Sequence, residues 1–358
     1  MEDKIKNIIV SVMFLGIITF FMSVNILTKD KDISNSERRK LQQFPKITYQ
    51  SLVDKTWGED FNKYAMDQFV ERDNFRKIKI NLELGVKHNY NDLFLYNDYI
   101  VKQSSGLKKN SVINISNKIK YINDTYLNDK DIYYTIVPDK NYYVHNGNLK
   151  IDYDELVNLM RDNLEFGEYI DIFSGLDLDS YYKTDTHWRE EKLESVVSIL
   201  GNKMGFQIVP YEKETITKFR GVYASQLVTD LEDEIVIMKN YMIENSTVYN
   251  YETKESSSVY NLDKMSSLDK YDIYLSGASS LLRIDNNSLL DGKKLLVFRD
   301  SYGSSLIPLL IPYYQEIMVV DTRYISSKIL DQYIDFDQYD DVLFIYSTLL
   351  ISDSYSLK

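Results

Sequence analysis

The chain has 358 residues, 44% of them hydrophobic and 27% charged, with no cysteine and a formal net charge of −12. That composition supports one large folded domain or two modest ones and argues against wholesale disorder. The acidic balance argues against sequence-independent nucleic-acid binding, and the lack of cysteine excludes disulfides, thiol nucleophiles and cysteine-ligated metal.

The stretch from Ile8 to Leu27 carries no charged residue over 20 positions, enough for a helix to cross a hydrocarbon core of ~30 Å. Lys4 and Lys6 precede it, whereas Lys29 and Lys31 alternate with Asp30 and Asp32. The charge bias favours a cytoplasmic N-terminus. No small-residue cleavage site follows, so the segment reads as an uncleaved signal anchor. Residues 1–28 are then a membrane anchor, and everything after Thr28 is extracytoplasmic.

Residues 29–90 read as a juxtamembrane linker followed by a helical region. Phe61, Tyr64, Ala65, Phe69, Phe75 and Ile78 recur at roughly helical spacing within Ser51–Gly85. Residues 91–358 read as an α/β domain. Asp92–Lys102 suggests a hairpin turning at Asn97-Asp98, and Asn110–Asp124 an amphipathic helix. Asp131–Val137 is a continuous apolar run ending at Pro138, as in a buried parallel strand. A helix is expected over Tyr153–Leu164, a short strand over Tyr169–Phe173, and a helix over Arg189–Met204 that Gly201 or Gly205 stops. The region from about 205 to 274, rich in Thr, Val, Tyr and Ser, reads as a strand-rich insertion. Strand and helix then alternate again: Lys294–Phe298 strand, Ser301–Tyr313 helix, Ile317–Val320 strand, Ser326–Tyr333 helix and Asp341–Tyr346 strand. Alternation of this kind implies a parallel sheet with helices on both faces.

Two segments carry chemistry. In the first, Asp185, His187 and Trp188 precede a helix. In the second, Arg299, Asp300, Ser301, Tyr302 and Gly303 follow a strand and open a helix. A serine at a strand-to-helix turn sits at the carboxyl edge of the sheet, where open α/β folds place their ligands. The amides of Ser301 and Gly303 there are candidates to stabilise an oxyanion. Serine needs a base, histidine is the usual one, and a carboxylate must orient it. Only His88, His145 and His187 exist, and only His187 has a carboxylate two positions away. The competing readings are plain: Asp300-Ser301 as a helix N-cap, and His187 as a solvated residue at a helix entry. Further substrate or oxyanion candidates are Lys140 after the Pro138 strand, Arg283 and Asn286 upstream of the Lys294 strand, and Arg299. Tyr302 is a candidate wall of an acyl pocket, and Trp188 of a sugar site. No metal set and no glycine-rich phosphate loop are apparent, so no cofactor is expected.

The two motifs resemble those of the DHHW family and the related alginate O-acetyltransferase proteins (AlgX/AlgJ-like): Asp-x-His-Trp, then a strand ending in Asp-Ser-(Tyr/Phe). The segments SERRKLQQFP, DQFVERDNFR, VPDKNYY and VLFIYSTL are similar to that family too. Two positions depart from the pattern: Thr186 stands where the family's motif has His, and Arg299 where SGNH hydrolases have Gly. The resemblance implies an SGNH-hydrolase-like three-layer α/β/α domain with Ser301 as nucleophile, His187 as base and Asp185 as its orienter. It implies O-acetylation or deacetylation of a cell-surface or exported polysaccharide, alongside a membrane-bound O-acyltransferase as acyl-donor partner. The alternative is a non-catalytic glycan-binding or assembly scaffold, with Trp57 and Trp188 as stacking platforms.

Overall fold

The computed structural model describes residues 2–104, 106–127, 130–145 and 149–358. They form two compact units, Met1–Tyr90 with Ser225–Thr229, and Asn91–Ala224 with Asp230–Lys358.

The first unit opens with α1 (Glu2–Leu27), a helix long and apolar enough to cross a membrane. A two-strand turn (Ile33–Ser34 with Arg39–Lys40) leads to α2 (Thr56–Asp67) and α3 (Arg72–Lys87). Asp73 in the first turn of α3 and Lys87 in its last suit the helix dipole. The polar SERRKLQQFP and DQFVERDNFR segments are partners of each other. Asp67 accepts both arms of the Arg39 guanidinium, at 2.6 and 2.7 Å, and the Gln42 amide at 2.9 Å. Arg72 donates to Glu37 at 2.9 Å, and Ser36 donates to Asp73 at 2.7 Å.

The second unit is built on an eight-stranded sheet. Its strands in chain order are β1 (Asp131–Val137), β2 (Glu168–Tyr169), β3 (Ser246–Asn250), β4 (Glu255–Ser257), β5 (Leu281–Asn286), β6 (Lys294–Arg299), β7 (Glu316–Val320) and β8 (Asp341–Ser347). They lie in the order β4-β3-β5-β7-β6-β8-β1-β2. The run from β7 to β2 is parallel, with Phe298 beside Val320 and Phe344. Strands β5, β3 and β4 continue it antiparallel. Alternate residues of each central strand feed separate cores. Leu295, Val297, Leu343 and Ile345 pack with α6 (Glu194–Met204) and the short helix from Gly303. Leu296, Phe298, Val342 and Phe344 pack with α4 (Lys109–Tyr126) and α5 (Tyr153–Asn163). The result is three layers with both sheet faces covered, the condition under which parallel strands are apolar throughout.

Several sequence expectations are corrected in detail. The region 205–274 is not a single insertion: only Glu212–Phe219 and Asp233–Lys239 form a separate hairpin, while β3 and β4 extend the main sheet. The sheet is therefore parallel on one side only. Beyond Gly303–Leu306 the Ser301–Tyr313 helix is a 3-10 helix, because Pro308 and Pro312 lack the amides an α-helix needs. Ser327–Gln332 is 3-10 as well, α6 begins at Glu194, and the strand expected over Tyr169–Phe173 ends at Tyr169. Gly205 ends α6 with φ +84°, whereas Gly201 lies inside it.

Candidate active site

Ser301 follows β6 at the carboxyl edge of the parallel strands. Asp300 shapes its turn: Oδ1 accepts the Tyr302 amide at 3.0 Å, and Oδ2 accepts the Ser347 amide at the end of β8 at 2.8 Å. The turn is thus tied to its own backbone and to the neighbouring strand. The Ser301 amide has no partner among the described residues. The Gly303 amide donates to the Asp300 carbonyl at 3.1 Å, so it is not a free oxyanion donor. Glycine is needed there for packing, since a Cβ would lie 2.7 Å from the Arg299 Cβ.

Asp185 and His187 occupy a tight loop. Tyr181 and Trp188 pair as an antiparallel bridge, and the Tyr182 amide donates to the His187 carbonyl at 3.1 Å, closing it. The Asp185 carboxylate reaches the imidazole Nδ1 at 2.6 Å through Oδ1, and Oδ2 accepts the Val222 amide at 2.8 Å. On the other side of the ring, Nε2 lies 2.9 Å from Ser301 Oγ. Three residues separated by up to 116 positions therefore form one continuous hydrogen-bonded line. Asp185 is buried, and Ser301 is partly accessible. Burial pushes the Asp185 pKa up. The hydrogen bond and charge of His187, with the Val222 and His187 amides, outweigh that and hold the carboxyl well below the usual carboxylate range.

The other expected site residues hold the scaffold. Trp188 is fully buried and donates its Nε1 to the Tyr302 carbonyl at 2.9 Å and to Ser305 Oγ at 3.0 Å, so it packs inside the fold and walls no sugar site. Tyr302 is buried and donates to the Thr186 carbonyl at 2.7 Å, clamping the histidine loop to the serine turn; it does not line an open pocket. Arg299 lies buried beneath Gly303 and pairs with Asp321 at 3.4 Å, away from any oxyanion position. Lys140 does not reach a cleft. Its buried ammonium donates to the carbonyls of Ile100, Tyr182 and Asp185 at 2.8, 2.6 and 2.7 Å. Burial lowers its pKa to about 7, against the pull of Asp185, Asp233 and Asp139. Arg283 lies in mid-sheet on β5, opposite Met318 and paired with Asp285 at 3.1 Å. Asn286 lies beyond the amino ends of the parallel strands, donating to the Ile311 carbonyl at 3.0 Å. Neither belongs with Ser301. His88 caps the end of α3, and His145 is exposed. Among the described residues no cluster of metal-ligating side chains is found.

Sequence reasoning missed three residues. Tyr271 stacks on His187, with ring centroids 3.9 Å apart and planes 7° from parallel. Its hydroxyl donates to the Ser301 carbonyl at 3.2 Å and meets Ser305 Oγ at 2.8 Å. Asp233 accepts the Lys183 and Thr184 amides at 2.9 and 2.7 Å, fixing the base of the Asp185 loop. Gly221 backs the same loop, its amide donating to Thr184 Oγ1 at 2.9 Å. One tyrosine among 31 carries no mark of its own, and Asp233 stands beside Glu234 at the polar start of a strand.

No protein-family model matches the sequence, and no curated protein matches it. Solved structures do. A DHHW family protein from Eubacterium siraeum aligns with a TM-score of 0.60 at 18% identity, covering 74% of this chain and 93% of its own. PatB1 from Bacillus cereus aligns with a TM-score of 0.58 at 17% identity, covering 72% of this chain and 96% of its own. PatB1 has also been solved with a sulfonyl adduct, with a TM-score of 0.57. This chain has the fold that the DHHW family protein and PatB1 share.

Proposed function

We propose that this protein is a serine-dependent acyltransferase or esterase that adds or removes acetyl groups on a cell-surface or exported polysaccharide. In this reading α1 anchors it in the membrane with the larger unit outside, and a membrane-bound O-acyltransferase supplies the acyl group. The observation that carries the reading is the unbroken line from Asp185 to His187 Nδ1 at 2.6 Å, and from His187 Nε2 to Ser301 Oγ at 2.9 Å. PatB1, of the same fold, supports it by having been solved with a sulfonyl adduct.

Ser301 Oγ bonds to the acyl carbonyl carbon as its proton passes to His187 Nε2. The oxyanion faces the unpartnered Ser301 amide. The tetrahedral adduct collapses, the donor's C–O bond breaks, and His187 returns the proton to the leaving alkoxide. A sugar hydroxyl, or water, then attacks the acyl-serine by the same steps in reverse order and releases Ser301. Asp185 holds the imidazole in the tautomer with its proton on Nδ1 and balances the imidazolium.

The test is incubation with a sulfonyl fluoride and with p-nitrophenyl acetate, with and without an oligosaccharide acceptor. A mass increment on the Ser301 peptide is expected, together with ester turnover that Ser301→Ala abolishes. Acetylated oligosaccharide would mark the transferase branch. Equal turnover by wild type and Ser301→Ala, or labelling elsewhere, overturns the assignment. Glycan binding without turnover leaves a scaffold.

A further inference from the structure

An apolar stripe on α3 lies open within its own unit except at its first residue, Phe75, which meets Phe21 and Phe69. Phe75, Ile78, Leu82 and Val86 are exposed by 48, 57, 64 and 79%. At 100° per residue these four fall within about 80° of one face. The opposite side of the helix carries the buried Ile80, so α3 has one apolar seam turned inward and a second turned outward. A soluble surface rarely leaves such a row open.

Two observations say what covers it. The first is continuity with α1. Phe21 of α1 stacks on Phe69 at 5.5 Å and meets Phe75 edge-on at 5.9 Å, and Asn25 accepts the Val70 amide at 2.7 Å. Phe21 lies six residues before Leu27, about 9 Å of helix rise inside the end of the apolar segment. The start of α3 is therefore held at the depth where headgroups give way to acyl chains. The second is charge. The chain carries −12 overall, yet Arg72–Lys87 holds five basic residues against two acidic ones. Arg72, Arg76 and Lys79 line a groove with Ala65, Met66 and Phe69 beside the stripe. Glu37 and Asp73 pair with the two arginines, and Lys79 and Lys87 flank Glu83 at 3.8 and 3.2 Å.

We infer that α3 is an interfacial helix, lying in the plane of the membrane that α1 enters, with Phe75, Ile78, Leu82 and Val86 among the upper acyl chains and the basic flank against anionic headgroups. A basic amphipathic helix of this kind buries its apolar face about 5–10 Å into the boundary, and long basic side chains reach up to the phosphates. The inference rests on the reading of α1 as a membrane span. Its consequence is that the anchor is a rigid foot, α1 together with α3, in place of a single tethering helix.

The absence of cysteine allows clean labelling of the full-length chain. Single nitroxides at Leu82→Cys, Val86→Cys, Asn81→Cys and Phe14→Cys, in vesicles of phosphatidylcholine and phosphatidylglycerol, report depth through collision with oxygen or with a water-soluble nickel chelate. Labels at 82 and 86 are expected to favour oxygen over nickel several-fold, and the label at 81 to favour nickel. Equal nickel access at 81, 82 and 86 overturns the inference. So does shielding of 82 and 86 from both reagents, which would signify a protein partner or a second copy. Phe14 separates the two layers of the reading. If it is shielded from nickel while 82 and 86 are in water, only the α3 assignment fails; if it is itself in water, the anchor fails too.

Discussion

His187 and Tyr271 lie face to face, their centroids 3.9 Å apart and their planes 7° from parallel. The stacking leaves the imidazole one orientation, the one in which Nδ1 meets Asp185 and Nε2 meets Ser301. The tyrosine also reaches past the ring to the Ser301 carbonyl, so it holds His187 and Ser301 in register. Tyr271→Phe keeps the stack and loses the hydroxyl, and it is expected to retain ester turnover to within about tenfold. Tyr271→Ala frees the ring and is expected to lose about 10²-fold, about 2.7 kcal/mol of barrier. Steady-state kinetics of both variants beside wild type is the check. Equal loss in the two would place the effect in the hydroxyl and not in the stack.

Asp185 spends both carboxylate oxygens on hydrogen-bond donors: Oδ1 on the imidazole and Oδ2 on the Val222 amide. An amide side chain can supply only one acceptor. Asp185→Asn must turn its NH₂ toward one of those donors, and if it faces Nδ1 the imidazole takes the wrong tautomer. Under the proposed mechanism a fall of about 10⁴-fold in kcat is expected, with the melting temperature displaced far less than activity. Paired calorimetry and ester kinetics test this.

The Arg39–Asp67 pair gives the first unit a pH signature. The hydrogen bonds from Arg39, aided by the Gln42 amide, lower the Asp67 pKa from 3.8 to about 2, although burial opposes them. For a carboxylate with a depressed folded pKa, the folded state binds fewer protons than the unfolded state between those two values. The stabilisation is therefore complete above about pH 4 and disappears as pH falls toward 2. Arg39 is partly exposed, so the contribution is expected at about 1 kcal/mol or less. Opening free energies of α2 and α3 amides, from hydrogen exchange in wild type and Asp67→Asn, should differ at pH 6 and converge near pH 2. A constant difference across that range would remove the pair from the account.

The parallel half of the sheet was legible because its strands are buried on both faces: DIYYTIV, KLLVFR and DVLFIYS are near-continuous apolar runs. The histidine and serine were legible through the resemblance of their two motifs to the DHHW pattern, since Asp300-Ser301 taken alone reads as a helix N-cap. The antiparallel half was hidden. In LLRIDN the polar Arg283 and Asp285 interrupt the run, STVYN is short and mostly polar, and ESS is polar throughout. Their partners lie up to 40 positions away, and pairing at that range leaves no local pattern. Lys140, Arg283 and Asn286 were misplaced for a related reason: polarity marks them as interesting, but only the folded structure tells a side chain satisfied by its protein neighbours from one facing a substrate.

Gly221 tests whether the Asp185 loop is held by backbone fit. A Cβ there would lie 2.4 Å from the Thr184 carbonyl oxygen and 2.5 Å from the Asp185 Cβ. Both are parts of the loop itself, not the far ends of flexible side chains. The loop cannot step aside cheaply, since Asp233 grips the amides at 183 and 184 and Lys140 grips the carbonyls at 182 and 185. Gly221→Ala must therefore move either the Thr184 carbonyl or the segment that supplies the Val222 amide to Asp185. Overpacking of this sort costs about 1–3 kcal/mol, and a displacement of about 1 Å in a catalytic group costs about 10²-fold in rate. Ester turnover is expected to fall by that factor in a protein that still melts cooperatively. Gly85→Ala, where an added Cβ meets nothing within 4 Å, is the control expected to leave turnover unchanged. Full activity in Gly221→Ala would show that the loop is soft and that the line from Asp185 to Ser301 does not depend on this packing.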